Sequence, residues 1–239
     1  MPAAAVRDDL ESLLRARKLD HTIVDRPDDG RWTIDDRRSV PTGLADLDAR
    51  LEGGLPRGHL SEVIGPRSSG RLAMVVSALA SATARGEAVA FIDPLDMFDP
   101  VSASASGIDF ARLLWVRGEA SSSARVSLSC EYGTLQKSLD RAVKALNLVL
   151  QAGGFGLVVL DLGEIAPQSI KRLPYTTWLR LHRAIEGGET ACVLIGSEPI
   201  ARSAGGVTVQ LAQGTARVIR ARKLESDRHV RVPLSAAAC

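Results

Sequence analysis

The chain has 239 residues and a net charge of +2, and 45% of its residues are hydrophobic but only 4% aromatic. This suits one medium domain, with a small appendage at most, whose core is built mainly from Ala, Val, Leu and Ile. The charge is too small to indicate a nucleic-acid partner by itself, and no apolar run approaches the ~20 residues of a membrane span.

A secretory pattern is absent from the N-terminus. Cys130, Cys192 and Cys239 form an odd, scattered set without ligand spacing, which suits a reducing cytoplasm. His21, His59, His182 and His229 are equally scattered, so no metal site is expected.

The elements follow in chain order. Val6, Leu10, Leu13 and Leu14 recur at helical spacing. Asp8, Asp9 and Glu11 precede Arg15, Arg17 and Lys18, as the helix dipole favours. Such a helix serves either as a partner-binding arm or as a cover folded back on its own core. His21 to Val24 suits a short strand, and Pro27-Asp28-Asp29-Gly30 a turn or linker. The expected division is an N-terminal helix and arm over 1–38 and a core over 39–239.

Leu60 to Ile64 reads as a strand and Ala73 to Ala84 as a helix. Between them lies Gly65-Pro66-Arg67-Ser68-Ser69-Gly70-Arg71-Leu72, whose G-x-x-x-x-G spacing is that of a phosphate-binding loop. Such a loop works through backbone N–H groups around the phosphates, a Lys on the terminal phosphates and a hydroxyl on Mg²⁺. Here Arg71 keeps the charge as a broad planar fork, and Leu72 has no oxygen to offer a metal. The spacing permits anion binding; metal-assisted hydrolysis is not expected.

Further along, Ala88 to Asp93 and Leu113 to Val116 read as buried strands, and Glu119 to Ser123 as a small, polar, mobile loop. Leu135, Leu139, Val143, Leu146 and Leu150 mark an amphipathic helix ended by Gly153-Gly154. Leu157 to Leu160 is a strand that delivers Asp161, either as a metal-side carboxylate or as a strand-end cap. Trp178, Leu181 and Ile185 share one helix face, stopped by Gly187-Gly188, and Val193 to Ile195 is a central strand holding Cys192 in its apolar run. Arg217, Arg220, Arg222, Lys223, Arg228 and Arg231 alternate with Val218, Ile219 and Val230 in hairpin strands. That stripe is either a DNA contact or a solvated sheet face that resists aggregation.

Order and spacing carry a resemblance. Val40-Pro41-Thr42-Gly43-Leu44, Leu47-Asp48, Gly53-Gly54-Leu55-Pro56-Arg57-Gly58, Glu62 and the loop together resemble the RecA recombinase family. The likeness continues through Ala90-Phe91-Ile92-Asp93, Phe98-Asp99-Pro100, Gly107-Ile108-Asp109 and Leu157-Val158-Val159-Leu160-Asp161, from about Val40 to Leu234. It implies an α/β fold: a RecA-like P-loop core with a mostly parallel central sheet flanked by helices. It also implies a short N-terminal helix-strand arm and no RecA C-terminal domain.

The departures fall at the chemistry the family implies. Leu95 stands where a catalytic Glu would prepare water, Ser102 where an aromatic ring would stack on adenine, and Ser197 and Glu198 near the position of a phosphate-sensing Gln. No enzyme activity and no cofactor are therefore expected, beyond weak ATP or anion binding at the loop. The family's DNA loops would correspond to Glu164 through Pro174, with Lys171 and Arg172, and to Ser197 through Gly206, with Arg202.

By subtraction the chain is most similar to the ImuA accessory proteins of damage-induced (SOS) mutagenesis. That resemblance implies RecA, an ImuB-like inactive Y-family polymerase relative and an error-prone C-family polymerase as partners. It also implies a cytoplasmic place, at the nucleoid when DNA is damaged. Two other classes stay open: a weak ATP-dependent, single-stranded-DNA-binding RecA paralogue, and a SulA-like inhibitor of cell division.

Overall fold

Continuously apolar pentamers bounded by turns make buried strands, and the computed structural model places them side by side. It describes residues 38–118, 131–201, 205–212, 215–220 and 230–231. A two-stranded antiparallel ribbon, β1 (Ser39–Val40) with β2 (Leu55–Pro56), frames a short helix α1 (Ala45–Arg50). Gly54 at φ +131° lets this ribbon close, since a Cβ there would collide with the Val40 backbone. Then come β3 (Leu60–Ile64), α2 (Arg71–Ala84), β4 (Val89–Asp93), α3 (Pro100–Ala105), β5 (Leu113–Arg117), α4 (Glu131–Ala152) and β6 (Leu157–Asp161). The remainder is α5 (Pro167–Ile170), α6 (Tyr175–Ile185), β7 (Ala191–Gly196) and the strands β8 (Val207–Ala212), β9 (Thr215–Arg220) and β10 (Val230–Arg231).

The main sheet runs β10-β9-β8-β3-β7-β6-β4-β5. From β8 to β5 every neighbouring pair is parallel; β9 and β10 are added antiparallel. This is the α/β, mostly parallel sheet flanked by helices that the alternating pattern predicts.

Alternation along each strand divides the core in two. Val63, Phe91, Val159 and Val193 face α2, whose Met74, Val75, Ala78 and Leu79 are buried against them. Leu60, Ala90, Val158 and Cys192 form one cross-strand row on the opposite face, beneath Leu139, Val143, Leu146 and Leu150 of α4 and Trp178, Leu181 and Ile185 of α6. Cys192 is fully buried, and desolvation pushes its thiol above the usual range, as core packing requires. Gly153 and Gly154 end α4 with positive φ, which is why that helix stops there.

One strand departs from expectation. Leu113 to Val116 belongs to the sheet, but as the edge strand, and it is only half-buried, with Leu114 44% exposed. It continues the row of Leu60, Cys192, Val158 and Ala90, but no described strand covers its outer side. An apolar run cannot by itself distinguish a central strand from an edge. Val6, Leu10, Leu13, Leu14, the 119–123 loop, Arg202, Arg222 and Lys223 lie outside the described residues. Among the described residues no helix is long and apolar enough to cross a membrane.

Candidate phosphate-loop site

The loop opens at the C-terminal end of β3, where a parallel sheet ordinarily presents ligands. Gly65 donates its N–H to the Gly196 carbonyl (3.2 Å), which ties the loop to the end of β7. A Cβ on Gly65 would meet the Leu211 carbonyl and the Ser69 hydroxyl. Ser68 (φ +60°) and Gly70 (φ +89°) turn the chain into α2, whose first turn has no side-chain cap. Ser69 Oγ is buried and has no hydrogen-bond partner among the described residues.

Arg71, the first residue of α2, folds inward instead of outward. Its side chain is 8% exposed. Nη1 donates to the Gly65 carbonyl; Nη2 donates to the Gly163 carbonyl (2.7 Å) and to Glu164 Oε1 (2.7 Å). The other Glu164 oxygen lies 3.6 Å from Arg67 Nε. The loop's cation is thus held by two carbonyls and a carboxylate of the protein itself. Leu72, where a metal-binding hydroxyl would stand, is 37% exposed.

Asp161 ends β6 one strand beyond β7, as its sequence position predicts, but it does not pair with Arg71. Its Oδ1 accepts the Gly163 N–H (2.8 Å). Desolvation raises its carboxyl to about 6, against the Gly163 hydrogen bond; Asp93 and Glu164 add to the rise and Arg71 opposes it. Asp93, at the end of β4, is buried and accepts the N–H groups of Met97 (3.0 Å) and Phe98 (2.8 Å), so its carboxylate shapes the following loop. Leu95 packs against the α4–α6 layer. Ser102 lies in the first turn of α3 and donates to Asp99, which caps that helix by accepting from Val101 and Ser102 N–H. Replacing Asp99 with Ala should lower stability, read as a reduced melting temperature with unchanged far-ultraviolet circular dichroism.

A Mg²⁺-nucleotide does not fit these residues. The hydroxyl ligand is a leucine, and the loop's cation is already paired with Glu164 and two carbonyls.

The two expected DNA loops are brought together beside this site. Lys171 pairs with Glu198 (2.6 Å), joining one loop to the other. Arg172 is exposed on the first loop. The second loop is anchored by Glu62, a buried carboxylate on β3 that accepts from the N–H groups of Ile200 (2.8 Å) and Ala201. Arg217 is exposed on β9, and Arg220 ends that strand; across β8, Arg217 lines up with Gln210 and Ile64. The described basic residues therefore occupy one loop and a sheet face.

Sequence reading missed Glu164 as the partner of Arg71. It is 93 residues away in the chain, and its only signal was a glutamate three positions after Asp161 in a loop facing the loop arginines.

The RecA N-terminal domain model matches residues 22–126, a segment that includes the phosphate loop, β4 and β5. That segment is similar to a RecA N-terminal domain. Protein RecA of Prochlorococcus marinus (strain MIT 9303) is 43% identical over 76 residues, covering 32% of this chain and 20% of that protein. Protein RecA of Fusobacterium nucleatum is 32% identical over 124 residues, covering 52% of this chain and 28% of that protein. Protein RecA of Symbiobacterium thermophilum is 43% identical over 76 residues, or 31% and 22% of the two chains. The chain thus spans between 20% and 28% of the length of these curated RecA proteins. This chain keeps the loop's glycine spacing and carries Arg71 and Leu72 after it.

Proposed function

We propose that this protein is a non-enzymatic, RecA-like accessory factor of damage-induced mutagenesis, similar in role to the ImuA proteins. In this reading it bridges RecA and a translesion polymerase complex containing an ImuB-like inactive Y-family relative and an error-prone C-family polymerase. Its place is the cytoplasm, at the nucleoid when DNA is damaged. The observation that carries this reading is Arg71: the loop's cation is neutralised by Glu164 and two carbonyls. A fold that has put its phosphate cation into its own scaffold is suited to work by shape. The substitutions at Leu72, Leu95 and Ser102 support the same reading.

Two measurements test it. Purified protein with Mg²⁺-ATP and single-stranded DNA should show no single-turnover hydrolysis above an Arg71→Met variant. Cross-linked complexes recovered from DNA-damaged cells should contain RecA together with a Y-family-like protein. Turnover that depends on Arg71 would replace this reading with an ATP-dependent strand-binding one. Recovery of the tubulin-like division protein would replace it with division inhibition.

A further inference from the structure

On the face of the sheet opposite α2, the packing of α4 against α6 leaves a groove of about 300 Å³. Its floor is Val143 and Leu181, both buried in the core, together with the buried Thr177. Leu148 of α4 forms one wall and is 65% exposed, an unusual position for a leucine on a helix whose other leucines from Leu139 onward are buried. Lys144 and Arg180 stand on opposite sides, one from each helix, and both are exposed. Neither forms an ion pair among the described residues. Asp140, one turn before Lys144, accepts instead from Gln136.

We infer that this groove is a docking site for an acidic amphipathic helix of a partner protein. A trough between two helices accepts the apolar face of a third, through anchors at i, i+3 or i+4 and i+7. The unpaired cations on both walls select Asp or Glu flanking those anchors, and they steer encounter more than they add affinity. A second copy of the same face is disfavoured, because it would bring Lys144 and Arg180 against their own kind. Nucleic acid is disfavoured because no aromatic side chain lines the groove for base stacking. A membrane is disfavoured because the apolar surface is recessed between its cations instead of protruding. The site shares no residue with the phosphate loop and stands whether or not the mutagenesis reading does.

The test is a selection from a displayed library of 16-residue helix-forming peptides against the full chain. Enriched peptides should carry apolar residues at i, i+3 or i+4 and i+7 with acidic flanks. Leu148→Asp and Arg180→Glu should each weaken their binding at least tenfold. Both positions are exposed, so both variants should melt at the native temperature, which separates lost binding from lost folding. An acid-to-lysine change in the peptide should restore binding to Arg180→Glu. Enrichment of basic or non-periodic peptides, or binding indifferent to both variants, would overturn the inference. It would equally be overturned if Leu148→Asp abolished binding to phosphatidylglycerol vesicles or to a single-stranded oligonucleotide in place of the peptide.

Discussion

Arg71→Ala is expected to destabilise the protein by about 3 kcal/mol, read as a lower urea midpoint at unchanged slope. In an ordinary phosphate loop the cation waits for its ligand, and its removal changes binding more than stability. Here its removal strands the Gly65 and Gly163 carbonyls and the Glu164 carboxylate in a crowded pocket. Breaking a fully buried pair costs about 3–5 kcal/mol; Glu164 is 34% exposed, so water recovers part of that. Glu164→Ala should cost less, about 1 kcal/mol, because the arginine keeps its two carbonyls. The double variant should be less destabilised than the sum, since the two side chains share one interaction. Pyrophosphate at millimolar concentration should leave the native midpoint unmoved, whereas a ligand-binding loop would be stabilised by it. An Arg71→Ala protein as stable as the native one, with a native midpoint that climbs with pyrophosphate, would identify Arg71 as a ligand residue after all.

What the sequence disclosed and what it withheld divide along physical lines. Strands such as Val89–Asp93 and Leu157–Asp161 were legible because they are continuously apolar and bounded by turns, and the mostly parallel sheet follows from their alternation with helices. The loop was legible because its spacing is local, and so was Asp161 at the end of its strand. The Arg71–Glu164 pair was not: it depends on β6 and β3 both lying against β7, a register written in no contiguous segment. The exposure of β5 was hidden for a related reason, since strand order decides which apolar strand becomes the edge. The Lys171–Glu198 pair was likewise invisible, because each residue reads alone as a charge in a polar loop.

Asp161→Asn is expected to stabilise the protein by about 2 kcal/mol at pH 7.5 and to leave its stability unchanged near pH 4. The carboxyl is raised from 3.8 to about 6 in the folded chain. Between those values the folded state holds a proton that the unfolded state has released, so stability contributed at Asp161 falls as pH rises through that window. Above pH 6 the full penalty is present: about 3 kcal/mol for an offset of that size, reduced to about 2 because the side chain is partly reached by water. Asparagine removes the charge and keeps an acceptor for the Gly163 N–H. Asp96 acts in the opposite sense, since the Arg117 guanidinium holds its carboxyl low and its contribution is lost as acid is added. The informative quantity is therefore the difference between native and variant denaturation midpoints at each pH. Millimolar Mg²⁺ should not change that difference, because Leu72 supplies no second ligand. If Mg²⁺ selectively stabilised the native chain at pH 7.5 and not the asparagine variant, Asp161 would be a metal ligand, and the reading of this loop as scaffold would fail at its most testable point.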